Sequence, residues 1–127
     1  MTTRLPRYLM AIAAVLLAVA TGLGAWASHG LDSRLDPDAL AAFETAVSYQ
    51  FIHALGIFAI GGYASANRAS RLLLAAATLI LVGTILFSGG VYSSSLDGPR
   101  FVSAVAPTGG VSLIAGWLAV AVALLRR

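Results

Sequence analysis

The sequence has no cysteine and little charge, and both absences narrow the class of protein. Without cysteine, the chain can form neither a disulfide framework nor a thiolate metal site. Only 10% of its 127 residues are charged, whereas soluble domains carry about 25%. It also contains no phosphate-binding loop, dinucleotide fingerprint, nucleophile elbow or HExxH zinc motif. We therefore predict that the protein holds no cofactor or metal and is not an enzyme.

Apolar residues are abundant, at 59% of the chain with a mean hydropathy of +0.89. Four apolar segments reach the length of about 20 residues that a helix needs to cross a bilayer. They are residues 8–27, 43–64, 72–92 and 107–125. The chain is too short for a second domain. The sequence thus predicts an all-α fold, an integral membrane four-helix bundle in which residues 1–127 form a single transmembrane domain.

The arginines predict how the bundle is oriented. All eight basic residues are arginine, and six of them fall on one side of the predicted membrane. These six are Arg4, Arg7, Arg68, Arg71, Arg126 and Arg127. Since cytoplasmic loops carry the excess of basic residues, both chain ends are predicted to be cytoplasmic, the N-in/C-in arrangement. This topology accounts for the sequence pI of about 10, so we expect no nucleic-acid partner.

The first span resembles a signal peptide in one respect, because Ala25-Trp26-Ala27 could serve as a cleavage site. Its apolar run of 20 residues, however, exceeds the about 7–15 of a signal peptide. Small residues also recur along it at alternating spacings of three and four: Ala11, Ala14, Ala18, Thr21, Ala25 and Ser28. Such a stripe lets helices approach closely in lipid. We expect the span to be retained and this stripe to pack against another helix.

The second span should begin early, since Asp36 can cap a helix and Pro37 suits its first position. In a helix that turns 100° per residue, four bulky side chains fall on one face: Phe43, Val47, Phe51 and Phe58. We predict that this face contacts lipid. The opposite face carries the polar side chains predicted to point toward other helices: Thr45, Tyr49, Gln50 and His53. Glu44 borders the lipid face and is predicted to reach the headgroups or Arg34.

Several blocks of the sequence are recognisable in order and spacing. They are GAWASHGL at 24–31, FETAVSYQFIHAL at 43–55, FSGGVY at 87–92, APTGG at 106–110 and GW at 116–117. Together they resemble the family known as domain of unknown function 423. The resemblance implies a small four-span membrane protein, located in the inner (plasma) membrane of a bacterium. It leaves the activity open.

Six side chains are candidates for binding a ligand: His29, Glu44, Tyr49, Gln50, His53 and Ser88. Polar residues are concentrated in the predicted outer halves of the spans, which indicates a cup open to the outside and counts against a channel. The alternative is structural, because a neutral His53 or Gln50 can simply hydrogen-bond between helices. His29 and His53 lie at different depths, which disfavours a haem site, and His29, Asp32 and Glu44 lack the spacing of metal ligands.

Glycines are expected at close helix contacts: Gly83, Gly89, Gly90, Gly109, Gly110 and Gly116. On the third span, small residues recur every seven positions, at Ala69, Ala76, Gly83 and Gly90. Together with the stripe on the first span, they exceed what four short helices need for their own packing. We therefore favour a non-enzymatic bundle that packs with larger membrane partners or with its own copies in lipid. The alternative is a protein that binds or transports a small molecule or lipid through the cup.

The topology can be tested with single cysteines, since the chain has none of its own. A cysteine at Ser33 or Ser94 should react with an impermeant thiol reagent in intact cells, whereas one at Ser70 should be protected. This pattern follows from the six-to-two division of the arginines. Labelling at Ser70 with protection at Ser33 would reverse the orientation.

Overall fold

The structure is a computed structural model that describes residues 4–68 and 70–126. Within these residues the only regular structure is helical, in the order α1 (Leu5–His29), α2 (Pro37–Ala66), α3 (Arg71–Ser95), α4 (Arg100–Ser103) and α5 (Ala106–Leu125). A short 3-10 turn, Leu31–Ser33, follows α1. Four stretches are long and apolar enough to cross a membrane: α1, α2, α3 and the combined stretch Arg100–Leu125. The prediction of an all-α protein with four spans is confirmed, while its orientation in the membrane stays a prediction.

Two of the long helices begin at side chains that satisfy otherwise free backbone amides. Asp36 accepts a hydrogen bond from the amide of Ala39 at 2.8 Å, and Pro37 takes the first helical position. At the start of α3, the Ser70 hydroxyl accepts a hydrogen bond from the amide of Leu73 at 3.1 Å. The predicted early start of the second helix at Asp36 and Pro37 is confirmed.

The long helices form an open row in which neighbours along the chain pack side by side. Helix α1 packs along α2, α2 along α3, and α3 along α5. Among the described residues, α5 makes no extended contact with either α1 or α2. The arrangement is therefore more open than a closed bundle, with α1 and α5 at its two edges.

Glycines allow α3 and α5 to approach each other closely. A Cβ atom on Gly83 would lie 2.9 Å from the backbone oxygen of Gly109, and one on Gly90 would lie 2.8 Å from the Cβ of Ala106. Gly116 faces α3 in the same way, since its Cβ would come within 3.2 Å of the backbone oxygen of Ala76. Backbone-to-backbone approach of this kind gives van der Waals contact that larger residues would prevent.

The sevenfold repeat of the third span is used inside the protein. Ala76, Gly83 and Gly90 are buried against α5, and Ala69 lies outside the described residues. The prediction that this repeat is left over for a partner is therefore wrong for these three residues. The spacing indicates a packing face, but it does not identify the helix that covers it.

The small-residue stripe of the first span does not pack within the protein. All six of its residues are exposed on the surface of α1: Ala11, Ala14, Ala18, Thr21, Ala25 and Ser28. The buried face of α1 instead carries Leu9, Ala13, Ala20 and Ala27. Alanines thus recur on two faces of α1, and the face that packs within the protein is not the stripe of six residues.

The predicted lipid face of α2 is also wrong in the N-terminal half of the helix. Phe43 is fully buried and Val47 is only 7% exposed, because α1 and α3 flank α2 on both sides. The ring of Phe43 lies 4.9 Å from that of Tyr92 and 6.0 Å from that of Trp26, measured between centroids. Deeper in the helix, Phe58 is exposed as predicted.

Two glycines of α3 offer a matched test of the α3–α5 contact. Gly83→Ala would place its Cβ against α5, whereas Gly89→Ala would enter open space with no atom within 4 Å. Gly89 thus does not mark the close contact predicted for it. Both changes gain helix propensity, but overpacking at residue 83 should cost about 1–3 kcal/mol. Thermal unfolding in mild detergent should show a lower midpoint for Gly83→Ala only. Equal midpoints would contradict the close approach.

Candidate functional site

Some polar side chains of α2 hydrogen-bond to neighbouring helices, and others face a groove between α2 and α5. Gln50 belongs to the first group and is 3% exposed. Its side-chain nitrogen donates a hydrogen bond to the backbone oxygen of Leu16 in α1 at 2.7 Å. Its side-chain oxygen accepts a hydrogen bond from the hydroxyl of Tyr92 in α3 at 2.6 Å. Gln50 therefore joins three helices through hydrogen bonds.

Two serines add further hydrogen bonds between neighbouring helices, one of them in the pair α3–α5 that Gln50 does not reach. The buried hydroxyl of Ser88 in α3 donates to the backbone oxygen of Ala46 in α2 at 2.9 Å. The hydroxyl of Ser112 in α5 donates to the backbone oxygen of Leu79 in α3 at 2.8 Å. Polar groups expected to line a cup are thus engaged in hydrogen bonds between helices. This placement favours the structural interpretation for Gln50 and Ser88.

His53 has one ring nitrogen satisfied and one available. Its Nδ1 lies 2.7 Å from the backbone oxygen of Tyr49, one turn earlier in the same helix. A carbonyl oxygen only accepts hydrogen bonds, so Nδ1 carries the proton and Nε2 of the neutral ring is an acceptor. Among the described residues, Nε2 has no hydrogen-bond partner, and the side chain is only 8% exposed.

The ring of His53 faces a lateral groove between α2 and α5, floored by α3. The groove has a volume of about 440 Å³ and is lined by Tyr49, His53, Phe87, Gly110, Leu113, Ile114, Trp117 and Leu118. Tyr49 stacks on Phe87 with 4.7 Å between ring centroids, near the mouth. At the other end, the Trp117 ring lies against Gly56, where a Cβ would come within 2.6 Å of it. Trp117 thereby closes the groove on the side away from Tyr49.

The other predicted site residues lie elsewhere. His29 ends α1 and Glu44 lies near the start of α2, and both are exposed. The expected ion pair between Glu44 and Arg34 is not formed. In the described part of the chain, no group of three or more histidine and acidic side chains could hold a metal ion. Of the six candidates, the structure brings Tyr49 and His53 together in the groove and uses Gln50 and Ser88 between helices.

Sequence reasoning missed the wall of the groove that α5 supplies. Trp117 lies in the middle of α5, far from the membrane ends where tryptophan usually anchors a helix. The position of Trp117 in the middle of the span was the feature of the sequence that could have identified it as a groove residue. Gly110, predicted as a packing glycine, lines the groove instead, and a Cβ there would meet only Phe87 at 3.8 Å. Tyr49, predicted to point inward, is 41% exposed at the groove mouth.

The bond between Gln50 and Tyr92 can be measured with a double-mutant cycle. Polar contacts between membrane helices average about 0.6 kcal/mol and reach about 1.7 kcal/mol. Gln50→Leu and Tyr92→Phe should each lower the free energy of unfolding by that order, and their effects should not add. As a control, Thr45→Val should change little, because the exposed Thr45 hydroxyl bonds only to Ala41 in its own helix. Additive losses would show that the two side chains do not interact.

Comparison with known proteins finds similar membrane proteins in several bacteria. The chain is 32% identical to the UPF0382 membrane protein YwdK of Bacillus subtilis over 115 residues, which cover 91% of this chain and 94% of that protein. It is 36% identical to the UPF0382 membrane protein SERP0230 of Staphylococcus epidermidis over 111 residues, covering 85% and 87% of the two chains. It is 31% identical to the UPF0382 inner membrane protein YgdD of Escherichia coli over 120 residues, covering 94% and 91%.

These names support the expected location in the inner membrane of a bacterium. No solved structure matches the chain. A family model described as "Protein of unknown function (DUF423)" matches residues 23–110, which include the recognised blocks around His29 and His53. The chain therefore belongs to this family of membrane proteins.

Proposed function

We propose that this protein is a non-enzymatic helical scaffold that binds a transmembrane helix of another membrane protein along α1. The observation that carries the proposal is the outward orientation of the six small residues, which we call the small-residue face: Ala11, Ala14, Ala18, Thr21, Ala25 and Ser28. Helix α1 lies at an edge of the row, so a further helix can reach this face without displacing α2.

Helix α1 presents three distinct faces, and only one of them is suited to lipid alone. One face packs on α2 through Leu9, Ala13, Ala20 and Ala27. A second face exposes bulky side chains that fill space among acyl chains: Tyr8, Ile12, Val15, Val19 and Trp26. The small-residue face is the third. Small residues give little contact with lipid but allow the backbone of another helix to approach, and van der Waals contact then stabilises the pair.

The charge at the start of α1 indicates the chemistry of the partner. Arg4 and Arg7 continue the spacing of the small-residue face, and both are exposed. A cavity of about 390 Å³ at this end is lined by Arg4, Arg7, Tyr8 and Ala11. Two parallel copies of α1 would bring four guanidinium groups together, which like-charge repulsion disfavours. We therefore propose a different protein as the partner, with small residues along one helix and an acidic side chain at the end beside Arg4 and Arg7.

Photocrosslinking in cells tests this proposal position by position. A photoreactive amino acid at Ala14 or Ala18 should form an adduct with one partner protein at several times the yield obtained at Val15 or Val19. Ala14→Leu combined with Ala18→Leu should abolish the complex, because the added side chains hold the helices apart. The matched control, Val15→Leu with Val19→Leu, should leave it intact. Arg4→Gln with Arg7→Gln should weaken it modestly, as an exposed ion pair contributes about 0.2–1 kcal/mol.

Three results would contradict the proposal. Equal adduct yields at the small and bulky positions would show that the small-residue face has no special occupant. Adducts only between copies of this chain would replace the proposed partner with a homo-oligomer. A partner whose binding survives the paired leucine substitutions would have to dock elsewhere.

A further inference from the structure

We propose that the groove between α2 and α5 binds an uncharged, membrane-soluble molecule whose hydroxyl group donates a hydrogen bond to Nε2 of His53. The proposed ligand has a phenolic or alcoholic hydroxyl on an apolar body. This site is separate from the small-residue face of α1, because α1 and α5 lie at opposite edges of the row. Either proposal can therefore fail without the other.

The hydrogen-bonding state of His53 defines what the ligand must supply. Nδ1 is held as a donor by the backbone oxygen of Tyr49 at 2.7 Å, so Nε2 points its lone pair away from that bond. The side chain is 8% exposed, and the exposed part faces the groove. A polar atom without a partner in hydrocarbon is costly, and lipid tails offer no donor. A hydroxyl donor entering the groove would satisfy Nε2.

The walls of the groove suit an apolar body with a ring. Aromatic side chains come from all three helices, namely Tyr49, Phe87 and Trp117. The Trp117 ring lies 6.2 Å from that of His53 between centroids, and both side chains line the groove. A volume of about 440 Å³ also falls within the about 300–1,000 Å³ typical of small-molecule sites. Small-molecule sites usually have apolar walls with a few polar groups, as this groove does.

The depth of His53 excludes a charged headgroup as the bound part. At 1.5 Å per residue, His53 lies about 24 Å along α2 from Pro37 and about 20 Å from Ala66. It is therefore near the middle of a hydrocarbon core about 30 Å thick, well below the phosphate groups on either side. A charged group at this depth would be strongly disfavoured. An uncharged hydroxyl compound that dissolves in the core can reach the site.

Tryptophan fluorescence provides a direct assay, because one of the two tryptophans lies in the groove. Trp26→Phe removes the other and leaves Trp117 as the reporter. The probe is 4-octylphenol, and its methyl ether, 4-octylanisole, is a control of similar shape that cannot donate. Both are added to the protein in nanodiscs of phosphatidylcholine. The phenol should change Trp117 emission saturably, with a Kd about tenfold below that of the ether, as expected for one hydrogen bond.

Variants in the Trp26→Phe background assign the preference to the groove. His53→Phe keeps an aromatic ring but no acceptor, so it should bind phenol and ether with equal, weak affinity. Gly110→Leu should weaken both by filling the groove, since the residue lines it and has room for a Cβ. Gly62→Leu is the matched control, because Gly62 has no neighbour within 4 Å and lies outside the groove lining. It should bind as the parent does.

Several outcomes would overturn the proposal. Equal Kd values for phenol and ether in the parent, or a preference that survives His53→Phe, would remove His53 as the acceptor. Unchanged binding in Gly110→Leu would move the site out of the groove, and this result holds even if the His53 variant fails to fold. If phosphatidylglycerol nanodiscs alter Trp117 emission and the phenol does not, the occupant is a phospholipid headgroup, contrary to the proposed class.

Discussion

The arrangement of the helices depends on the hydrogen bonds that leave Gln50 in two directions. In lipid, apolar side chains gain little by leaving one apolar surface for another, so helix order must come from packing and from polar groups that need partners. The amide of Gln50 has one partner in α1 and another in α3, so it ties α2 to both of these helices. Ser88 and Ser112 repeat the principle with a single bond each. In the row α1–α2–α3–α5 all of these groups have partners.

The groove follows from how closely α5 is held to α3. Glycines bring the two backbones together over much of their length, and α5 then has no extended contact with α2. The space left between α2 and α5 is crossed at one level by Trp117, whose ring fits against Gly56 because that residue has no side chain. Above that level the space remains open beside Tyr49 and His53. The site is thus a consequence of packing elsewhere in the protein.

Much of the fold could be predicted from the sequence, because length, hydropathy and helix caps act locally. The four spans and the start of α2 at Asp36 and Pro37 belong to this class. The covered face of each helix could not be predicted, because in lipid both a packed face and an exposed face are apolar. Helix α1 shows the difficulty, since Ala13, Ala20 and Ala27 on its buried face are as small as Ala14 and Ala18 on its exposed face.

The same limit explains the mixed outcome for the candidate site. A polar side chain within a span is the sequence signal for an inward orientation: it holds for Gln50, His53 and Ser88, which are buried, and fails for Thr45 and Tyr49, which are exposed. Phe43 and Val47 carry no such signal, because bulky apolar residues suit both lipid and a helix interface. The partner of each polar group is a three-dimensional fact, since Leu16 and Tyr92 lie 34 and 42 residues from Gln50 in sequence.

Gln50 and His53 lie less than one helical turn apart, yet the polar atoms of Gln50 have partners in other helices and Nε2 of His53 has none among the described residues. Between α1 and α3, the interior polar atoms of α2 meet partners from the protein and hold the row together. Toward α5, glycine packing keeps the fourth helix on α3, so no side chain of α5 satisfies Nε2 of His53. A fully closed bundle would have buried that nitrogen against protein. The open row leaves it without a partner among the described residues, and in hydrocarbon a single donated hydrogen bond would discriminate strongly because water is not there to compete.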